Sequence, residues 1–537
     1  MLFSVDEGVH EVYVQQVPFH LHKTDEVQKS KIEQLQKINS FGTFKREKLS
    51  KLSAEQKKLI IPSTWAVVYK HVNGKRVVKS RLCARGDIEG RGKKEGVRTD
   101  CPTASKPALR TLLSLAATHG WKLKSLDFSA AFLQGKPIER ELYIMPPKDI
   151  REKDPDLVWR VVKRIYGLKD ASRGWYLELD RALKSLGCKV SLTDNSYYTW
   201  KDSAGNIKGL LCVHIDDILF CGEPTFHTAV IEQIKKNYVI GAVEEEHFTF
   251  TGWDLKQDKT GISLTQTSFV EKIDLSKFEK IKTLQLNKDV VMPDFYQSMY
   301  RSLVGMIGWC TSVSRPDKAA SATMFSMKLG KATLTDARSA LRVLKHIKDS
   351  PQTIKFSNLG NIQDVKIVSW GDSSYGKFIP GQTISGVITF LQGGDKLNVL
   401  DWSSKKLEVP VGSPLAGEVE ASLEAYGRIK WMRSLVSDST GIQDISAEII
   451  TDSKSLLDAL GNCNMVKDKR SLVGISTLRA IPEFDNTKIS WIAGKLHLAD
   501  HLTKIGTNAD ILREVLRTGI YNYRTTPAIS LVDVGSV

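Results

Sequence analysis

The 537-residue chain has little cysteine. Its seven residues, Cys83, Cys101, Cys188, Cys212, Cys221, Cys310 and Cys463, are odd in number and form no CxxC pair. That argues against a disulfide framework or a structural zinc site and fits a reducing compartment. Long apolar runs are also missing. The greasiest stretch, Ser302–Ser314, is short and broken by Gly and Ser, which excludes a bilayer-spanning helix there. The opening residues, MLFSVDEGVH, carry acids and a histidine where a secretory signal has a basic region. Acids are in deficit, 61 against 77 Lys+Arg, for a formal charge of +16. Such a surplus favours a polyanionic partner, nucleic acid before an anionic membrane, although a merely basic soluble protein has the same balance. Hydrophobic residues at 41% and charged residues at 26% are ordinary for globular domains, and the length suits several of them. Internal repeats and low-complexity tracts are absent.

The first segment, to about Ile61, is polar and lysine-rich (KTDEVQKSKIEQLQK, FKREKLSKLSAEQKK) and reads as a helical or partly disordered leader. From Trp65 the pattern turns β-rich, with two runs joined by the hairpin signal Asn73-Gly74. A helix over Ala108–His119 puts Leu109, Leu112, Leu113 and Leu115 on its apolar side. WKLKSLDFSAAFLQG is a strand, a turn and a short helix, and VWRVVKRIYGLKDASRGWYLELDRALKSLG is a strand leading into a helix. LLCVHIDDILFCG is two short apolar strands around Asp216-Asp217, and FTFTGWDLKQDKTGISL is another hairpin. Residues from about Met299 to Ser350 are mostly helical, with Thr335-Asp336 a cap. A separate unit begins near Val365. It has three strands, an amphipathic helix over Ala416–Leu435 (Ala416, Val419, Leu423, Tyr426, Ile429 and Met432 on one side), then alternating strands and helices. That order predicts a mixed-sheet α/β domain. The tail after about Thr507 offers no pattern.

Two sets of acids stand in costly places. Asp127 ends an apolar strand, and Asp216 and Asp217 sit at the tip of an apolar hairpin. Acids there repel one another and resist ionising unless a cation is bound, which is what metal-assisted phosphoryl transfer requires. Taken singly, each is equally a turn or cap residue. In the C-terminal unit Asp372 ends a strand, Glu418 lies in the first turn of the amphipathic helix, Asp452 links a strand to a helix, and Asp500 follows the last strand. Strand ends and nearby helix starts can converge on one point. Singly, Glu418 and Asp452 are also good helix-start acids. SWIAGKLHLAD places His497 near this set, although a lone histidine there reads more readily as a surface residue. Lys and Arg recur at Lys75, Arg76, Lys79, Arg81 and Arg85 and at Arg342, Lys345 and Lys348, a spacing suited to phosphate contact along a duplex.

These motifs, in this order, resemble the reverse transcriptase–ribonuclease H region of copia-type retrotransposon polyproteins, over roughly Trp65 to Lys504. LDFSAAFLQG resembles the first palm motif and HIDD the third, which implies that Asp127, Asp216 and Asp217 bind metal. IYGLKDASRGWY (Ile165–Tyr176) resembles the template–nucleotide motif. KSRLCARG resembles the fingers strand that meets the triphosphate, implying nucleotide contacts for Lys79 and Arg81. FTFTGWDL resembles the primer-grip region around Gly252, and YRSLVGMIGWCTSVSRPD the connection segment. By the same resemblance Phe132, five residues after Asp127, is a steric gate against the ribose 2′-OH. DSSYG, EVEASLEA, TDSKSL and LADHLTK resemble the four ribonuclease H motifs, implying that Asp372, Glu418, Asp452 and Asp500 are the catalytic metal ligands. Glu418 is preferred to Glu420 because Ala421 and Ala425 then fall at the family's small positions. One departure is His214, where the family has Tyr.

The resemblance implies a right-hand polymerase of α+β and α/β domains: a polar leader (1–60), fingers, palm and thumb (61–280), a helical connection (281–364), a ribonuclease H-like mixed-sheet domain (365–510) and a tail (511–537). It implies RNA-directed DNA synthesis and hydrolysis of the RNA strand of RNA–DNA hybrids, with Mg²⁺ or Mn²⁺ as cofactor. The implied partners are an RNA template, a DNA primer, the RNA–DNA hybrid, deoxynucleoside triphosphates and other polyprotein products, with no membrane. The implied setting is intracellular, in a cytoplasmic virus-like particle or the nucleus. The alternative is a catalytically degenerate, nucleic-acid-binding remnant, which His214 motivates.

Overall fold

The computed structural model describes residues 16–72, 75–89, 97–287, 290–376, 382–462, 468–506 and 508–527. The expected leader is built into the first sheet. Its helix, Asp25–Ser40, lies on the strand Lys75–Ala84, where the Ser80 amide donates to Ser30 Oγ at 2.8 Å. Lys31 on that helix is buried, with Nζ 2.7 Å from Asp149 and 5.3 Å from the Trp65 ring centroid. Polar composition hides this packing, because Lys31 is held by an ion pair and by its apolar stem. In spatial order the sheet runs Phe44–Lys48, Leu157–Val161, Tyr143–Met145, Ile60–Val72 and Lys75–Ala84. The turn Asn73-Gly74 lies outside the described residues, but its flanking strands pair through Val72 and Lys75 as a hairpin requires.

The second sheet runs Ile240–Glu245, Leu123–Phe128, Asp217–Gly222, Ile207–His214, Tyr197–Lys201 and Lys189–Val190. Behind it lies the helix Lys106–His119, started by the Ser105 side chain accepting from the Ala108 amide and ended by Gly120 in the left-handed conformation. Instead of one leucine face, every residue from Ala108 to Thr118 is buried. The reason is its place between two sheets: it packs on Ile207–His214 on one side and on Lys396–Lys406 of the C-terminal unit on the other. Arg110 is buried in this seam, with its guanidinium 3.7 Å from the Trp402 ring centroid and Nη2 donating to the Ser312 carbonyl at 2.6 Å.

The hairpin expected over FTFTGWDLKQDKTGISL is part of a four-stranded sheet, His247–Phe250, Trp253–Asp258, Gly261–Thr265 and Ile354–Phe356. Helices Asp294–Val313, Ala319–Ser326 and Leu334–Asp349 follow the expected helical stretch. The last is capped by Thr333, not Thr335. Thr333 Oγ1 accepts from the Asp336 amide while the Asp336 carboxylate accepts from the Thr333 amide, a reciprocal box set by that three-residue spacing.

The C-terminal sheet runs Lys396–Lys406, Thr383–Gly393, Lys366–Tyr375, Ala447–Thr451, Thr487–Trp491 and Thr526–Pro527. The first three strands are antiparallel, and Ala447–Thr451 and Thr487–Trp491 add in parallel, which is the mixed sheet expected from the motif order. The helix Pro414–Thr440 is longer than Ala416–Leu435 and buries Ala421, Ser422 and Ala425 beside the expected stripe. It needs this second buried side because it packs on Lys366–Tyr375, on the helix Lys469–Phe484 and on the second sheet, where Ser439 Oγ lies 2.9 Å from Tyr197 Oη. The patternless tail supplies the helix Asp510–Thr518, with Leu512, Val515 and Leu516 buried, and the edge strand Thr526–Pro527. No helix among the described residues is long and apolar enough to cross a membrane.

Candidate functional sites

The first acid set gathers at one end of the second sheet. Asp127 and Asp217 face each other across neighbouring strands, and Asp217 also faces His214. The Phe128 amide donates to the Asp216 carbonyl at 2.9 Å, tying the two acid-bearing segments together. Ile215, at the hairpin tip, has φ 56°, a left-handed conformation that costs a β-branched residue energy. Trp175 Nε1 donates to its carbonyl at 2.9 Å and holds the tip. Gly241 on the third side is also required, since a Cβ there would overlap the Asp127 carboxylate.

Burial pushes the Asp127 carboxyl up, and the charges of Lys79, Lys37, Lys70 and Arg81 oppose it. Asp216 is pushed up by burial and by Asp127, against Arg81 and Lys70. The predicted Lys79 and Arg81 thus act electrostatically on the predicted carboxylates. Arg81 lies 5.5 Å from the Tyr166 ring centroid, and Tyr166 lies 5.2 Å from the buried Phe132 ring, so cation, motif tyrosine and gate candidate form one wall. The Ile165–Tyr176 motif is locked to the first sheet. Arg140 forks onto Asp170 at 2.8 and 2.9 Å and donates to Glu89 at 2.6 Å, and the Ala84 amide donates to the Tyr166 carbonyl at 2.8 Å. Gly252 has φ 79° in the turn before Trp253, as its place in the expected primer-grip hairpin requires.

Sequence reasoning missed Lys37. Its Nζ donates to Ser129 Oγ at 2.7 Å, two residues after Asp127. Burial lowers its pKa and Asp127 raises it. The only available signal was its place among many lysines of a segment taken for a leader.

The second acid set is more enclosed. Asp372 and Glu418 are held together by Ser373, whose amide and Oγ donate to Glu418 Oε1 at 3.2 and 2.7 Å. Close approach makes this possible: a Cβ at Gly371 would lie 2.8 Å from the Ala421 carbonyl, so glycine lets the helix settle on the strand. Ala421 and Ala425 are fully buried, in keeping with the small positions expected around Glu418. Burial, then the charges of Asp372 and Asp452, push Glu418 up to about 8. Asp372 is pushed up to about 6, chiefly by burial and also by Asp500, against His497 and Lys504. Thr503 Oγ1 donates to Asp372, and Lys504 Nζ lies 2.8 Å from Asp500 and 3.8 Å from Asp372. Burial would lower the Lys504 pKa, but Asp372 and Asp500 outweigh it and raise it.

One ligand atom from each of Asp372, Asp452, His497 and Asp500 lies within 4.8 Å of the others. Glu418 stands beside this group through Asp372. The first acid set makes no such group among the described residues. His497, expected at the surface, is 2% exposed. Glu418 Oε2 is buried with no hydrogen-bond partner among the described residues. A crowd of carboxylates, Asp372 buried and the others half-buried, with an unsatisfied oxygen fits a divalent cation.

Residues 47–290 match the family described as reverse transcriptase (RNA-dependent DNA polymerase). The Retrovirus-related Pol polyprotein from transposon RE2 of Arabidopsis thaliana is 27% identical over 68% of this chain and 25% of its own length. The corresponding polyprotein from transposon TNT 1-94 of Nicotiana tabacum is 22% identical over 90% of this chain and 37% of its own length. The foamy viral protease-reverse transcriptase, solved in complex with an RNA/DNA hybrid, superposes with a TM-score of 0.47 at 13% identity, covering 90% of this chain and 55% of that one. The chain spans about a quarter of the length of the first curated relatives it matches. The fold class is that of a right-hand polymerase joined by helices to a ribonuclease H-like mixed sheet. Residues 47–290 are thus similar to the reverse transcriptase family, and the alignments to Pol polyproteins of retrotransposons extend the similarity well beyond that segment.

Proposed function

We propose that the chain copies RNA into DNA at the first acid set and cleaves the RNA strand of RNA–DNA hybrids at the second. The observation that carries the first activity is the pairing of Asp127 with Asp217 across neighbouring strands, beneath cations from the first sheet. Asp127, Asp216 and Asp217 would hold divalent metal, Mg²⁺ or Mn²⁺. When bound, the metal neutralises developing charge and lowers the pKa of the attacking hydroxyl or water. Lys79, Arg81 and Lys37 would receive the triphosphate of the incoming deoxynucleotide. Phe132, backed by Tyr166, would exclude a ribose 2′-OH. His214 would stand beside the primer end. The Arg140–Asp170 fork would keep the template motif in register.

In the C-terminal unit, Asp372, Glu418, Asp452 and Asp500 would hold the metal. Lys504 and Thr503 would orient Asp500 and Asp372, and Ser373 would fix one oxygen of Glu418 while leaving the other free. RNA template, DNA primer, hybrid and deoxynucleoside triphosphates are the partners this chemistry needs, and a net charge of +16 suits them.

The test is deoxythymidine incorporation on an RNA template with a DNA primer, beside an Asp216→Asn/Asp217→Asn control. Incorporation lost in the control is expected. Folded, hybrid-binding protein that incorporates nothing would overturn the polymerase reading and favour a binding remnant.

A further inference from the structure

His497 carries a geometry that its surroundings do not explain as packing alone. Its ring is buried, and Nε2 lies 3.1 Å from the Ile450 carbonyl. A carbonyl only accepts, so Nε2 bears the proton and the lone pair sits on Nδ1. Nδ1 has no hydrogen-bond partner among the described residues and lies 3.8 Å from Asp500 Oδ1, too far for a hydrogen bond. A buried lone pair without a donor is costly. Metal-ligating histidines share this arrangement, in which one ring nitrogen is tied to a carbonyl, fixing the tautomer, and the other is offered to the ion.

The surroundings of Nδ1 supply the other ligands. One atom each from Asp372, Asp452, Asp500 and His497 lies within 4.8 Å of the rest. Around a single octahedral ion, donors at about 2.1 Å stand about 3 Å apart when adjacent and about 4.2 Å when opposite. Ligand atoms no more than 4.8 Å apart therefore need to draw in by up to about 1 Å each to meet those spacings. Lys504, 2.8 Å from Asp500, is the cation that would swing aside. Its flexible stem makes that movement cheap.

We propose that His497 ligates, through Nδ1, a divalent metal held by Asp372, Asp452 and Asp500. This rests on the reading of that group as a metal site and adds a nitrogen donor to its carboxylates. Mn²⁺ accepts such a donor more readily than Mg²⁺, whose habitual ligands are oxygens.

The experiment uses the full chain with Asp216→Asn/Asp217→Asn, which removes metal ligands near His214. Less than one equivalent of Mn²⁺ is added, and electron spin echo modulation is recorded in frozen solution with histidine at natural abundance and with ¹⁵N-histidine. The expected result is a ¹⁴N modulation that changes on ¹⁵N labelling and disappears in His497→Gln, with Mn²⁺ affinity falling about tenfold or more. The labelled protein needs no substitution at His497, so a misfolded variant cannot obscure the answer. Mn²⁺ binding that is lost in Asp452→Asn but shows no histidine nitrogen would overturn the His497 assignment alone. No Mn²⁺ binding sensitive to Asp452→Asn would overturn the metal-site reading as well.

Discussion

Around Asp127, positive charge arrives from Lys37, Lys70, Lys79 and Arg81, side chains of a helix and a hairpin that belong to the first sheet. Around Asp372, Glu418 and Asp500, Lys504 from the adjoining turn supplies opposing charge, and burial dominates, with Glu418 up to about 8. The first arrangement leaves cations beside the carboxylates where a triphosphate would lie. The second holds more carboxylates than Lys504 alone offsets, so burial favours the protonated form of Glu418 unless a further cation joins them. The same requirement, acids kept together in a folded protein, is met once by neighbouring cations and once by protonation.

The largest expected effects separate the two sites. Asp452→Asn should abolish hybrid cleavage and spare primer extension, while Asp216→Asn/Asp217→Asn should do the reverse. Each loss should exceed the roughly 100-fold upper range typical of outer-shell changes at metal sites. Loss of both activities in either variant would show that the two sites do not act independently.

Arg110 tests how firmly they are joined. Its guanidinium lies against Trp402 and its Nη2 on the Ser312 carbonyl, and Asp401 keeps its own partner in Arg428. Arg110→Leu therefore leaves no acid stranded but removes the stack, the hydrogen bond and the filled volume, a cost of about 2–4 kcal/mol. Calorimetry should show a lower Tm and separation into two transitions. An unchanged single transition would mean that the seam contributes little to joining the regions.

pH sharpens the contrast. A carboxyl whose pKa rises on folding binds a proton that the unfolded chain releases. Glu418, from an ordinary 4.5 to about 8, makes the metal-free protein most stable below about 4.5 on this account and less stable as pH rises toward 8. Divalent metal should reverse the slope, because it stabilises the ionised form. Tm measured in chelator and in Mg²⁺ from pH 5 to 8 checks both signs. Glu418→Gln should flatten the chelator curve, and a curve unaffected by that change would place the titration elsewhere.

Asp127, Asp217 and Asp452 were legible because they lie at or next to the ends of strongly patterned strands, whereas Glu418 stands on a helix and Asp372, expected to end its strand, lies inside Lys366–Tyr375, which runs on through the polar Ser373 and Ser374. Helix Lys106–His119 was legible as a helix but not as one buried all round, since its second partner, Lys396–Lys406, lies far along the chain and periodicity carries no information about distant neighbours. The tail strand Thr526–Pro527 escaped notice because it is two residues long and takes its order from Thr487–Trp491. His497 was misjudged for a similar reason: a lone histidine shows neither its burial nor the Ile450 carbonyl that fixes its ring.

Lys37 is the smallest and most discriminating test of the cation-rich site, because it lies in the segment whose composition reads as a leader. It is partly buried, it holds Ser129 Oγ at 2.7 Å, and its charge acts on Asp127. If it receives the triphosphate, Lys37→Ala should raise KM for deoxynucleotides about threefold to tenfold, equivalent to at most about 1.4 kcal/mol, with kcat little changed. Lys37→Arg should restore much of the loss, since a guanidinium also binds phosphate. If Lys37 merely props the turn after Asp127, the alanine variant should lower Tm and kcat together and leave KM alone. Hybrid cleavage serves as the internal control. It should be unmoved by either variant, because Lys504 supplies the opposing charge at the second site and Lys37 supplies it at the first.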